Sequence, residues 1–235
     1  MDLTKQNKIE LENIIFKLKS VKSTYFLDEK MIQLASSVLK KQNIEHYIFY
    51  PYEAASYGIL YSNVKPNISL LKINTEETLT HSSIMGSLYH LNLKREIFGD
   101  IIIKDSYYVI VMKHMAEYIK QNIYQIGRAR VNIEECELDE IKEYKPTYEE
   151  ITMTVSSERI DTVTAKIIGT SRSIVEEKFK NKEIILNYEI ATKSSYNLKE
   201  GDIFSIRKYG KYKYLGIIDT SKRNKLIIKC QKYVS

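Results

Sequence analysis

The run IFGDIIIKDSYYVIVM, residues 97–112, decides the fold reading. Two apolar segments, IFGDIII (97–103) and YYVIVM (107–112), flank Lys104–Ser106, a polar connection short enough for a turn. Together they predict two adjacent strands. Outward from this pair, SIMGSLYHL (83–91) and HMAEYIKQNI (114–123) carry helical patterns. Beyond them lie strand-like ISLLKI (68–73) and RARVNIEEC (128–136). The order β-α-β-β-α-β is that of a split βαβ, or ferredoxin-like, sandwich, and RNA-recognition-motif (RRM-like) domains share it. The third strand offers Tyr107 and Tyr108 without the glycine and basic positions of the RRM signature. The order therefore predicts a fold and no activity.

Upstream, helical spacing over 6–20 places Ile9, Ile14, Ile15 and Leu18 on one side. Asp28 is a good N-cap for a second helix running to about Lys41, with Met31, Ile32, Ala35, Val38 and Leu39 apolar. IEHYIFY (44–50) reads as a strand, and EAASYGILY (53–61) reads as helix-like after Pro51. Downstream, ELDEIKEYKPTYEE is polar, acidic and contains Pro146, as a linker would. The expected organisation is an α+β protein with a small N-terminal α/β unit (1–65) and a central ferredoxin-like domain (66–137). An acidic linker (138–150) then leads to a basic domain (151–235).

Composition narrows the function classes. With 43% hydrophobic and 28% charged residues the chain has the balance of a soluble globular protein. The N-terminal residues have scattered charges and no apolar h-region, and no apolar run is long enough to span a bilayer, so a cytoplasmic protein is expected. Cys136 and Cys230 are far apart, and His46, His81, His90 and His114 form no cluster, so no disulfide framework, metal or cofactor is expected. Charge is unevenly divided. Residues 151–235 hold 17 Lys+Arg against 9 Asp+Glu, whereas 1–150 hold 19 against 21. The whole positive excess lies in the last third, the footprint of a polyanion-binding module on a near-neutral body.

Within that third, strand ITMTVSS (151–157) precedes two helical patterns, ERIDTVTAKII (158–168) and SRSIVEEKFKN (171–181), separated by Gly169. EIILNYEI (183–190) reads as a strand, and another follows the turn at Glu200–Gly201. The N-terminus of the second helix, with Ser171 and Arg172, offers free amides and a guanidinium fork suited to phosphate. Taken locally, a solvated face with Glu176 and Glu177 balancing the lysines explains the same residues.

The order Arg159-Ile160-Asp161, Ser171-Arg172, Lys182 to Asn187, then Leu198 to Ile203 resembles the S4-type RNA-binding domain, over roughly 157–210. That resemblance implies an RNA-facing groove lined by Arg159, Ser171, Arg172, Lys178, Lys182, Asn187, Arg207 and Lys208, with Lys211, Lys222 and Arg223 extending it; Asp161 would hold a helix start or pair with an arginine. THSSIMGSLYHLNLKREIFGDIII (80–103), Tyr50 to Ala54, Gly127 to Arg130, Arg207 to Tyr212 and Thr220 to Arg223 are similar to blocks of the YlmH family, encoded beside bacterial cell-division genes. Ser82 and Ser83 depart from it, standing where an Arg-Asp pair is usual. This resemblance implies a ribosome-associated factor that binds rRNA of the large subunit and tRNA. It would hold peptidyl-tRNA on stalled subunits while a second factor, RqcH, adds alanine to the nascent chain. A monomer with no membrane contact is expected.

The competing class is an RNA-modifying enzyme, pseudouridine-synthase-like, using the S4-type domain as an anchor. Arg159-Ile160-Asp161 lacks the glycines of a pseudouridine-synthase motif, and no GxG pair, Walker-type loop or GxSxG elbow occurs. The expectation is therefore no catalytic residues and a binder of phosphates.

Overall fold

In the computed structural model, which describes residues 5–234 and side chains from Lys8 onward, the chain opens with helix α1 (Lys5–Ser20) and strand β1 (Leu27–Asp28). Asp28 caps helix α2 (Glu29–Lys41), its carboxylate accepting the Met31 amide at 2.8 Å. Met31, Ile32, Ala35 and Leu39 of α2 pack with Leu11, Ile14 and Leu18 of α1. Ile9, expected in the α1 stripe, is instead 52% exposed, and Leu11 takes the inward position.

Strands β2 (Tyr47–Phe49) and β3 (Tyr57–Tyr61) follow, and β3 lies between β1 and β2 in an antiparallel sheet. The helix expected over EAASYGILY is thus overturned: residues 53–56 form a turn and bend, and 57–61 a strand. Ile59 and Leu60 enter different cores, and only a strand sends successive side chains to opposite sides. Gly58 is needed for the close passage, because a Cβ there would lie 2.8 Å from the Tyr50 ring and 2.9 Å from Ile32.

The central elements are β4 (Ile68–Asn74), α3 (His81–His90), β5 (Phe98–Ile103), β6 (Tyr107–Met112), α4 (Lys113–Asn122), a small hairpin of β7 (Gln125–Ile126) and β8 (Ala129–Arg130), and β9 (Asn132–Cys136). The single strand expected over RARVNIEEC is therefore two, one in the small hairpin and one in the main sheet. That sheet runs β5-β6-β4-β9 with every neighbour antiparallel. Leu71, Ile73, Val109 and Val111 pack beneath Ile84 and Leu88 of α3 and Ala116 and Ile119 of α4. Their neighbours Leu70, Tyr108, Ile110 and Met112 point the other way and pack against Phe26, Tyr52, Ile59 and Ile141. Burial on both faces is why YYVIVM is apolar throughout instead of alternating.

Ile141 belongs to a 3₁₀ turn (Leu138–Ile141) and is fully buried, so the stretch expected to begin a solvated linker is folded at its start. Glu140 of this turn accepts from Tyr108 at 2.9 Å and Lys72 at 3.2 Å, and Glu134, in β9, accepts from Asn74 at 2.8 Å. The chain divides into two compact units between Lys145 and Pro146.

The second unit comprises β10 (Tyr148–Val155), α5 (Ile160–Ile168), α6 (Arg172–Lys180), β11 (Ile184–Leu186), β12 (Glu189–Ile190), β13 (Ile203–Ile206), β14 (Gly210–Thr220) and β15 (Leu226–Tyr233). One sheet, ordered β10-β15-β14-β13-β11-β12, holds all six strands. EIILNYEI is a hairpin where one strand was expected: Asn187 and Tyr188, at φ 48° and 67°, form a two-residue left-handed turn between β11 and β12. Met153, Phe204, Ile206, Tyr212, Tyr214 and Ile228 of the sheet share a core with Ile160 and Val163 of α5 and Val175 of α6.

Candidate nucleic-acid interface

The helix pair is set by its three-residue connection. Gly169 ends α5 at φ 67°, a left-handed position that glycine adopts without strain, and its amide returns to the Ala165 carbonyl. Ser171 then occupies the N-cap of α6, but its hydroxyl lies 2.8 Å from that of Ser173 and bonds no helix amide.

Arg172, the first residue of α6, turns back across α5. Its guanidinium donates to the Thr162 hydroxyl at 2.5 Å and the Ser156 hydroxyl at 3.1 Å. Thr162 donates onward to Asp161 at 3.2 Å, and Arg159 grips the same carboxylate bidentately at 3.1 and 2.6 Å. Asp161 is 2% exposed. Burial works to raise its carboxyl pKa, but the Arg159 hydrogen bonds and charge, with the bonds from Thr162, outweigh burial and hold it below the usual range. The chain Arg172–Thr162–Asp161–Arg159 thus fixes the guanidinium of Arg172 while keeping the nearby carboxylate neutralised.

Arg172 lines an open cleft of about 640 Å3 formed by the end of β10, α5, the α5–α6 connection and the β14–β15 tip. Lys166 and Lys225 also line it, with the hydroxyl residues Thr154, Ser156, Thr162 and Thr170, and none of its lining residues is acidic. Cations interleaved with short hydroxyl donors suit a sugar-phosphate backbone.

Sequence reasoning missed Lys166 and Lys225. Lys166 is four residues after Thr162 on α5, a spacing that places both on one helix face. Lys225 ends the tip SKRNK, from which Lys222 and Arg223 were singled out; both of these are exposed at the same tip.

The other expected residues are distributed more widely. Lys178 is paired with Glu183 at 2.8 Å and lies 5.5 Å from the Tyr209 ring. Lys182, at φ 57°, lines a separate open cleft with Phe179, Lys180 and Ile190. Asn187 is committed to the fold, donating to Asp202 at 2.8 Å and accepting the Ile203 amide at 2.9 Å. Arg207 and Lys208 are exposed in the β13–β14 turn, and Lys211 lies 4.7 Å from the Tyr233 ring and 5.4 Å from that of Tyr188. The cleft therefore unites Arg172 with Lys166 and Lys225, and neither Lys178 nor Lys182 lines it.

Among the described residues no His, Cys, Asp and Glu cluster could hold a metal ion, and no helix is long and apolar enough to cross a membrane. Burial pushes both the Cys136 and Cys230 thiols up to about 12, with Glu140 adding to the effect at Cys136.

Residues 66–140 match a family model described as "Putative RNA-binding domain in YlmH". The curated "Ribosome-associated protein quality control protein P2" of Bacillus subtilis (strain 168) is 31% identical over 149 residues, 63% of this chain. The match spans 58% of that relative's length. Among solved structures, the "Cell division protein ylmH from Streptococcus pneumoniae" has a TM-score of 0.52 at 17% identity, over 61% of this chain and 98% of that one, a likeness of fold alone. The family model and the structural neighbour carry one name, and the part of the chain similar to that family's RNA-binding domain is residues 66–140.

Proposed function

We propose that the chain is a non-catalytic RNA-binding factor of ribosome-associated quality control, engaging the large ribosomal subunit and peptidyl-tRNA. The observation that carries this reading is the cleft beside α5 and α6, where Lys166, Arg172 and Lys225 surround four hydroxyl residues with no acidic lining. Such a surface engages backbone phosphates by charge and shape, without reading base edges. The name of the B. subtilis relative supports the process proposed. The β5-β6-β4-β9 order is read as a ferredoxin-like sandwich, and the helix pair with its strand-rich lobe as an S4-type domain. On this reading the chain holds tRNA on the stalled subunit while RqcH extends the nascent chain with alanine.

The competing enzyme reading has its best candidate in Asp161, which is buried and held by Arg159. A carboxylate so committed serves the fold. The test is density-gradient fractionation of cell extract after induced translational stalling. The factor should travel with large subunits carrying peptidyl-tRNA; recovery only in the ribosome-free fraction would sink the assignment.

A further inference from the structure

The six-stranded sheet of the second unit buries one face beneath α5 and α6, and its other face is accessible along every strand. A cross-strand row on that face runs from Tyr148 to its partner Tyr233, then, one residue beyond the Tyr212–Lys232 pair, to Lys211, Ser205, Ile185 and Ile190, from β10 to β12. Their sequence neighbours Phe204, Tyr212 and Ile184 point into the core, so the alternation of each strand turns this row outward. Tyr148 is 43% exposed at the sheet edge. Its ring meets Tyr233 edge to face, with centroids 4.9 Å apart. The Lys211 ammonium lies between Tyr233, at 4.7 Å, and Tyr188, at 5.4 Å. Lys213 stands in the next row, opposite Gln231 and Ile203.

The geometry points to this face as a platform for unpaired RNA, with bases stacking on Tyr148, Tyr233 and Tyr188 and backbone phosphates meeting Lys211 and Lys213. An ammonium group set between rings offers stacking surfaces beside a phosphate contact, as a single strand presents bases beside phosphates, and every base has a π-face to offer. Neighbouring strands about 4.8 Å apart make the row roughly 24 Å long, enough for several nucleotides. A duplex keeps its bases stacked and inaccessible to such rings, so the platform selects single strands. The helical cleft, proposed above as the phosphate site, lacks aromatic lining, so the two surfaces suit different RNA conformations.

The experiment is fluorescence anisotropy of the full chain with a labelled oligouridylate and, separately, a blunt RNA duplex. Tyr148→Ala and Tyr233→Ala should each weaken oligouridylate binding roughly tenfold, within the range for losing one stacked base. Tyr148→Phe should retain it, and duplex binding should be unchanged in all three. Thermal melts check folding, and the exposed edge position of Tyr148 makes its variants the cleaner pair. Unchanged oligouridylate affinity in folded Tyr148→Ala and Tyr233→Ala overturns the platform. So does polyglutamate binding with equal affinity and equal sensitivity to these substitutions, which would mark the face as a site for acidic polypeptide. Loss of duplex binding in Arg172→Ala tests the cleft and leaves the platform untouched.

Discussion

The two large sheets of this protein differ in what they leave open. In the first unit, β5-β6-β4-β9 is packed on both faces, by α3 and α4 on one side and by Phe26, Tyr52, Ile59 and Ile141 on the other. In the second, helices cover one face and the other carries tyrosines and lysines. An RRM domain reads RNA from the open face of a sheet with the same element order. Here the equivalent Tyr108 is 2% exposed and bonded to Glu140. The family model named for RNA binding falls on the closed sheet, in residues 66–140, which hold 8 Lys+Arg and 11 Asp+Glu. The basic excess and the open face lie in the other unit. Any RNA contact by the first unit must therefore use helices or loops, not the sheet.

Substitutions can break or sharpen this contrast. The largest effects belong to the cores. Phe98→Ala in the first unit and Phe204→Ala in the second, both fully buried, should each cost ~3–5 kcal/mol. Hydrogen exchange should locate each loss in its own unit, and equal loss of protection in both would contradict the division at Lys145. Next, Arg172→Ala should weaken duplex RNA binding about tenfold, the value of one charge-assisted hydrogen bond. Arg128→Ala, at the exposed tip of the first unit's small hairpin, should have a smaller effect; a larger one would move the principal RNA surface into the first unit.

Smaller still, Tyr108→Phe should destabilise the first unit by about 1 kcal/mol, measured by urea unfolding, through loss of its bond to Glu140. The smallest is a pH effect. Asp161 has a lowered folded pKa, so its contribution to stability is complete above the unfolded carboxyl value of about 4 and is lost as pH falls through the folded value. Asp161→Asn should lower stability at neutral pH and abolish that part of the acid-side decline. An unchanged decline would show that the Arg159 pair contributes nothing.

Much of this was legible in the residues themselves. The hairpin at 97–112, the Asp28 cap and the two helices around Gly169 follow from apolar period, capping chemistry and a left-handed glycine. The errors share a cause, which is that single-strand patterns do not report pairing partners. EAASYGILY has helical spacing, yet Ile59 and Leu60 serve two cores on opposite sides of one strand. EIILNYEI reads as one strand until the left-handed pair Asn187 and Tyr188 folds it in half. Of the cations lining the cleft, Arg172 stands out in the sequence by its place at a helix start. Lys166 and Lys225 do not, because they meet it only through the packing of α5 and the β14–β15 tip. Asn187 was expected to face RNA and instead braces Asp202 and Ile203, since a polar side chain beside a tight turn has backbone partners within reach.

The most direct test of the central claim is the salt dependence of duplex RNA binding by the full chain, compared with a variant carrying Lys166→Ala, Arg172→Ala and Lys225→Ala. Engagement of ~5 phosphates should give a log–log slope near −4 for the native chain. Each lost contact should flatten it by about 1, leaving the triple variant near −1 to −2. A flat native response, or a variant whose slope equals the native one, would contradict the cleft as the phosphate-binding surface.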